Sequence, residues 1–187
     1  AIRAGLGIRD DETVIGIASR LGPGKGHHTF LEAARILLRD FPRECQGLRF
    51  LIVGSAVFGR DQKIESRIKE HARTLGFKDK ILFTGLQQNM PPVYAAMDIF
   101  VLASEAEPCG RVILESMACG KPTVGTNTGG TPEIAVDSLT GYLIPPGKPE
   151  LLAQKLLTLI QNPALRNTMG QEARKRVASH FTIERNA

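Results

Sequence analysis

Six short apolar runs alternate with longer amphipathic stretches along the chain, and few folds accept that alternation. The runs cover 14–18, 49–53, 81–83, 99–102, 122–124 and 141–144. Several are β-branched and nearly continuous in apolar residues, as strands covered on both faces must be. Between them, apolar spacing predicts helices over 27–39, 61–75, 90–97, 110–119 and 131–136, followed by 148–161 and 163–179. In the first, Phe30, Ala33, Ala34, Leu37 and Leu38 recur at helical spacing; Leu151, Leu152, Leu156, Leu157 and Ile160 do so near the carboxy terminus. Asn162-Pro163 marks a break, with proline tolerated in the first turn of the next helix. Strands alternating with crossover helices predict one doubly wound α/β domain, a six-stranded parallel sheet with helices on both faces. Such sheets take ligands beyond the carboxyl ends of their strands.

With 187 residues, 42% of them hydrophobic, the chain can bury a core without a disulfide or metal staple. The apolar content excludes disorder, and 19 Gly with 11 Pro exclude a coiled coil. No apolar run reaches membrane-spanning length, and the first residues lack the apolar core of a signal peptide. Both ends read as cuts from something longer, the second near 181–185. The net charge of +5 is spread over helical stretches with acidic neighbours. Aromatics are 5% of the chain with no Trp, which supplies no stacking platform for nucleic acid, so no nucleic-acid partner is expected. A small phosphorylated anion suits this balance better. Cys45, Cys109 and Cys119 form no CxxC pair, which favours a reducing, cytoplasmic setting and predicts no zinc site.

Three turns carry candidate chemistry. The first strand runs into Ser19-Arg20-Leu21-Gly22-Pro23-Gly24-Lys25-Gly26 and then a helix. Glycines let a ligand approach the backbone, helix-start N–H groups attract anions, and Arg20 and Lys25 can neutralise a diphosphate. Neither GxxxxGKS/T nor GxGxxG is present, and the turn alone reads equally as two solvated cations on a Gly/Pro loop. The next turn, 103–110, leads into a helix ending at Gly120, with Glu107 before it and Glu115 inside it. Carboxylates so placed can each take sugar hydroxyls at two ends of an elongated ligand; equally, Glu107 serves the helix dipole and Glu115 the surface. The third turn, 126–133, offers two glycines, a threonine cap and Pro132, another anion-receptive helix start, or equally no more than a well-capped helix. His27 and His28 are adjacent, point differently from a helix, and read as ordinary helix-start residues rather than metal ligands.

Taken in order, SRLGPGKG, EPCGRVILESMACGKPTVGTNTGGTPEI and GYLIPPG resemble the carboxy-terminal domain of retaining GT-B-fold glycosyltransferases. The resemblance runs over essentially the whole chain and points to the group of sucrose and glycogen synthases and related mannosyl- and glucosyltransferases. It implies a Rossmann-like donor-binding domain over 1–187, half of a GT-B fold, whose amino-terminal acceptor domain is absent from this chain. The implied activity is transfer of a hexose from a nucleoside-diphosphate sugar to an acceptor. By matching position, Arg20 and Lys25 would hold the diphosphate, Glu107 the donor sugar near its reacting carbon, and Glu115 the ribose hydroxyls. Cys109, Gly110 and Arg111 would line the sugar, Arg111 and Val112 N–H groups would meet phosphate, and Leu86 and Gln87 would contact the base. The family usually has Phe where Cys109 stands, which bears on sugar preference.

Stabilising a departing diphosphate with fixed cations and N–H groups makes a divalent metal unnecessary, and no DxD-like pair is present, so neither metal nor cofactor is expected. The acceptor, a sugar, lipid or small molecule, belongs to the absent domain, as does any peripheral contact with a membrane. Two alternatives are a GT-B-fold nucleotide-sugar epimerase domain and a non-catalytic sugar-nucleotide-binding module. On the favoured reading the isolated domain folds and binds nucleotide but is inactive, lacking half its cleft.

Overall fold

The predicted strands form where the β-branched runs lie: β1 (Thr13–Ala18), β2 (Leu48–Val53), β3 (Ile81–Gly85), β4 (Ile99–Leu102), β5 (Thr123–Thr126) and β6 (Gly141–Ile144). The computed structural model describes residues 2–108 and 110–181, apart from the side chains of Arg60 and Lys78. Cys109 and the end beyond 181 lie outside the described residues. The strands make one sheet in the order β3-β2-β1-β4-β5-β6, with every neighbouring pair parallel. β1 therefore sits at the centre, with the chain building outward to β3 on one side and to β6 on the other. That reversal between β1 and β4 opens a crevice at their carboxyl ends.

Helices α1 (Ile2–Gly5), α2 (His27–Asp40), α3 (Gln62–Thr74), α4 (Met90–Ala96), α5 (Arg111–Ala118), α6 (Thr131–Ile134), α7 (Pro149–Gln161) and α8 (Pro163–His180) cover both faces. Alternation along β1 sorts the layers. Ile15 and Ile17 face one core with Phe30, Leu31 and Leu37 of α2, Ile68 of α3, and Leu152 and Leu156 of α7. Val14 and Ala18 face the other, with Val93 and Tyr94 of α4, Ile113 and Met117 of α5, and Ala173 of α8. Each such fully buried large side chain contributes about 1.5–3 kcal/mol relative to exposure. Gly16, in mid-strand, leaves room for Met97: a Cβ there would lie 2.2 Å from its sulfur. Asn162 caps α8 by accepting from the Leu165 N–H at 3.0 Å, with Pro163 opening the helix as predicted. Among the described residues no helix is long and apolar enough to cross a membrane.

Two departures from expectation stand out. α1 has no apolar period to reveal it; it is held through Arg3, which bonds Ala96 O at 3.1 Å and Asp98 at 2.7 Å. α6 is a single turn, stopping at Ile134 because Ala135 is already extended. Its expected threonine cap is also absent: Gly130 is the N-cap, and Thr131 Oγ1 is buried with no hydrogen-bond partner.

Candidate functional site

The turns after β1 and β4 meet at the crevice because glycine lets them touch. Gly26 has φ 72°, and a Cβ on it would lie 1.9 Å from Ala103 O, so no other residue fits without moving the backbone. The Glu105 N–H donates to Gly24 O at 2.9 Å and ties the same two turns. The turn after β5 closes on them from the far side. The Gly130 N–H donates to Glu107 O at 3.0 Å, and Thr126 Oγ1 donates to Ser104 O at 2.7 Å. Thr131 and Glu133 give their N–H groups to Thr128 O and Gly130 O, and Pro132 has none. Of the two readings of 126–133 the structural one therefore holds: the N–H groups of Gly130, Thr131 and Glu133 are taken within the protein, and the turn braces the loop that carries Glu107.

Against this frame the side chains group closely. Lys25 Nζ lies 2.9 Å from Glu107 Oε2, and Ser104 Oγ donates to the same oxygen at 3.2 Å. Lys25 and Glu107 are 22% and 14% exposed, open enough for a ligand to reach and buried enough for the pair to be well defined. Arg20 is not a freely solvated cation. Its guanidinium bonds the fully buried Asp61 and lies over the Phe58 ring, 5.3 Å from its centroid. Asp61 belongs to a short 3₁₀ turn, Gly59–Asp61, that leads into α3. Asp61 and Ser104 carry no sequence signal as partners: 41 residues separate Asp61 from Arg20.

Beneath Lys25, His27 opens α2 yet is only 2% exposed, with Nε2 3.2 Å from Ser19 Oγ. Burial first, and the Lys25 charge second, push its pKa down to about 4, so the ring is neutral at pH 7. It is a core histidine at a helix start rather than an ordinary surface one.

Two adjoining clefts share Ser19, Arg20 and Val112. The polar one, of about 370 Å³, is lined also by Lys25, Glu107 and Arg111. Above it stands the start of α5, where Gly110 is the N-cap with φ 35°. The Arg111 and Val112 N–H groups occupy first-turn positions, which have no intrahelical acceptor. The other cleft, of about 220 Å³, is floored by β1 and β2 and walled by Leu86, Gln87, Met90, Tyr94 and Glu115. Leu86 is 69% exposed, and Gln87 Nε2 donates to Thr84 O at 3.0 Å. Glu115 stands one helical turn along α5, and Tyr94 OH donates to its Oε2 at 2.8 Å. Tyr94 is itself 1% exposed and packs edge-on against Phe100 at 5.7 Å. Burial, then the bond to Glu115, raises the Tyr94 pKa, which keeps the phenol a donor. Its placement was unreadable in advance because Tyr94 counts in the sequence only as part of an apolar helix face.

The structure therefore brings Arg20, Lys25, Glu107, Gly110, Arg111, Val112, Glu115, Leu86 and Gln87 to one continuous trough. Cationic groups sit at its middle and a carboxylate stands toward each end. Comparison with known proteins identifies the family. Residues 1–176 match the family described as glycosyl transferases group 1. A D-inositol 3-phosphate glycosyltransferase of Saccharomonospora viridis is 32% identical over 99% of this chain and 43% of its own length. Anabaena Alr3699/HepE in complex with UDP-glucose superposes with a TM-score of 0.89 at 30% identity, over 98% of this chain and 48% of that one. The C-terminal domain of a glycosyl transferase group 1 family protein (LpcC) from Francisella tularensis does so with 0.82 at 32%, over 91% and 87%. The chain spans 31% and 49% of two further curated relatives that it matches. In sequence and sheet topology the chain belongs to the glycosyl transferases of group 1, and it matches the carboxy-terminal GT-B domain of that family.

Proposed function

We propose that this chain is the donor-binding domain of a retaining glycosyltransferase that moves a hexose from a nucleoside-diphosphate sugar to an acceptor held by a second, amino-terminal domain. The observation that carries this reading is the trough itself, with Arg20 and Lys25 at its middle and Glu107 and Glu115 toward opposite ends. The crystallised Anabaena relative with UDP-glucose supports the ligand class.

In this reading the base and ribose enter the cleft beside Leu86 and Gln87, and Glu115 takes the ribose hydroxyls through the oxygen that Tyr94 leaves free. The diphosphate lies across Arg20, Lys25 and the Arg111 and Val112 N–H groups, and Glu107 receives hydroxyl hydrogens of the sugar. When the bond from anomeric carbon to phosphate oxygen breaks, negative charge gathers on the leaving diphosphate. Arg20, fixed by Asp61, and Lys25 are already in place there, so stabilisation costs little reorganisation. This charge set makes the transfer metal-independent. Glu107 positions the sugar and takes no covalent role. The free thiols of Cys45 and Cys119 accord with the reducing cytoplasm we assign to it. The domain alone binds nucleotide and transfers nothing. Calorimetric titration with UDP, GDP and ADP sugars tests the assignment: saturable binding of one class is expected, and a folded domain that binds none of them overturns it.

A further inference from the structure

Away from the trough, α2 and α3 bring together His28, Glu32 and His71, with one ligand atom from each lying within 4.8 Å of the others. His28 and Glu32 are four residues apart on α2 and so share a face. His71 joins them from the last turn of α3. We propose that these three side chains form a binding site for one borderline divalent transition ion, zinc foremost.

Two imidazoles and a carboxylate are a donor set suited to zinc, cobalt or nickel rather than to calcium or magnesium, which prefer all-oxygen shells. The geometry is close to what such an ion needs. Bonds of about 2.0–2.2 Å in a tetrahedron place ligand atoms roughly 3.3 Å apart. His71 Nε2 and Glu32 Oε1 are 2.8 Å apart, and His28 is exposed and free to turn the remaining distance.

His71 Nε2 is buried and faces Glu32 Oε1, so that nitrogen and the carboxylate already stand on the same spot that an ion would share. The two rings lie 4.7 Å apart and are tilted by 34°, close enough for one ion to reach a nitrogen of each. The Arg35 Nε donates to Glu32 Oε2 at 2.7 Å, so the carboxylate is held from behind while Oε1 faces the histidines. Such outer support orients a metal ligand. Three protein ligands leave a fourth position to water. The ion would pin α2 to α3, the helices that start directly after Gly26 and after Asp61, the anchor of Arg20.

Titration of the metal-free protein with Co²⁺, followed by visible absorption, and with Zn²⁺, followed by calorimetry, tests the site. Uptake of one equivalent with a tetrahedral cobalt spectrum and a rise in Tm is expected. His28→Ala, at an exposed position that the fold does not need, should weaken binding by more than about tenfold, as should His71→Ala, while His180→Ala leaves it unchanged. No saturable uptake, or equal uptake by the protein and by His28→Ala and His71→Ala, overturns the proposal. Neither readout depends on nucleotide binding.

Discussion

The turns at 19–26 and 126–133 look alike on paper: each follows a strand, is rich in glycine and runs into a helix. In the fold they do opposite work. The first leads into the fourteen-residue α2 and presents Arg20 and Lys25 to the crevice. The second leads into the four-residue α6 and spends its N–H groups on its own backbone and on Glu107 O. A glycine-rich helix start is therefore an anion site only where its donors are left over. Where they are consumed, the same chemistry makes a brace.

The largest expected effect that separates the two turns is pH dependence. Unfolded His27 titrates near 6.5, and in the folded protein it titrates at about 4. Between those values the unfolded chain binds the extra proton, so stability is full above about pH 6.5 and falls as pH drops toward 4, by about 3 kcal/mol. Urea unfolding from pH 7 to 4 should show that loss in the protein and a smaller one in His27→Gln; identical curves would remove the buried-histidine account. The equivalent place after β5, Thr131, carries nothing that titrates.

Glycine replacement tests the brace. Gly129 has φ 57°, and a Cβ there would lie 2.2 Å from Glu107 O. Gly129→Ala should cost about 2 kcal/mol of stability and also weaken sugar-nucleotide binding, although Gly129 lines neither cleft. Stability lost with binding intact would break the link between that turn and Glu107. Lys25→Ala should lower diphosphate affinity about thirtyfold while barely changing that of the bare nucleoside, a loss of about 2 kcal/mol for one charged hydrogen-bonding group. Equal losses for UDP and uridine would contradict the role given to the first turn. The smallest effect belongs to Tyr94→Phe. It should weaken nucleotide binding about fivefold by freeing Glu115, and deoxyribose nucleotides should lose less.

Most of the architecture was legible because it rests on local rules. Runs of β-branched residues located the strands to within a few residues, and Asn162-Pro163 placed the break before α8. What escaped depends on contacts distant in sequence. α1 exists through Arg3 reaching Ala96 and Asp98, and no short window contains those partners. The site divides in the same way. The cationic turn and the turn that carries Glu107 could be singled out through the resemblance that their motifs carry together, while each taken alone read equally as an ordinary loop. Asp61 and Tyr94 were not, since their importance lies in the side chains they orient. The choice left open at 126–133 has the same root: sequence reveals how many donors a turn has, and only the fold reveals how many remain.

On the proposed reading, the Lys25–Glu107 pair would also set how the site tells whole ligands from fragments. A ligand that brought phosphate alone would draw Lys25 away and leave Glu107, only 14% exposed, with Ser104 as its remaining partner. One that brings hydroxyls alone competes for Glu107 against a cation already in contact. A molecule carrying both groups satisfies both partners at once. The two halves of such a ligand would then reinforce each other, and inorganic phosphate or free sugar, each abundant in a cell, would leave the trough largely undisturbed.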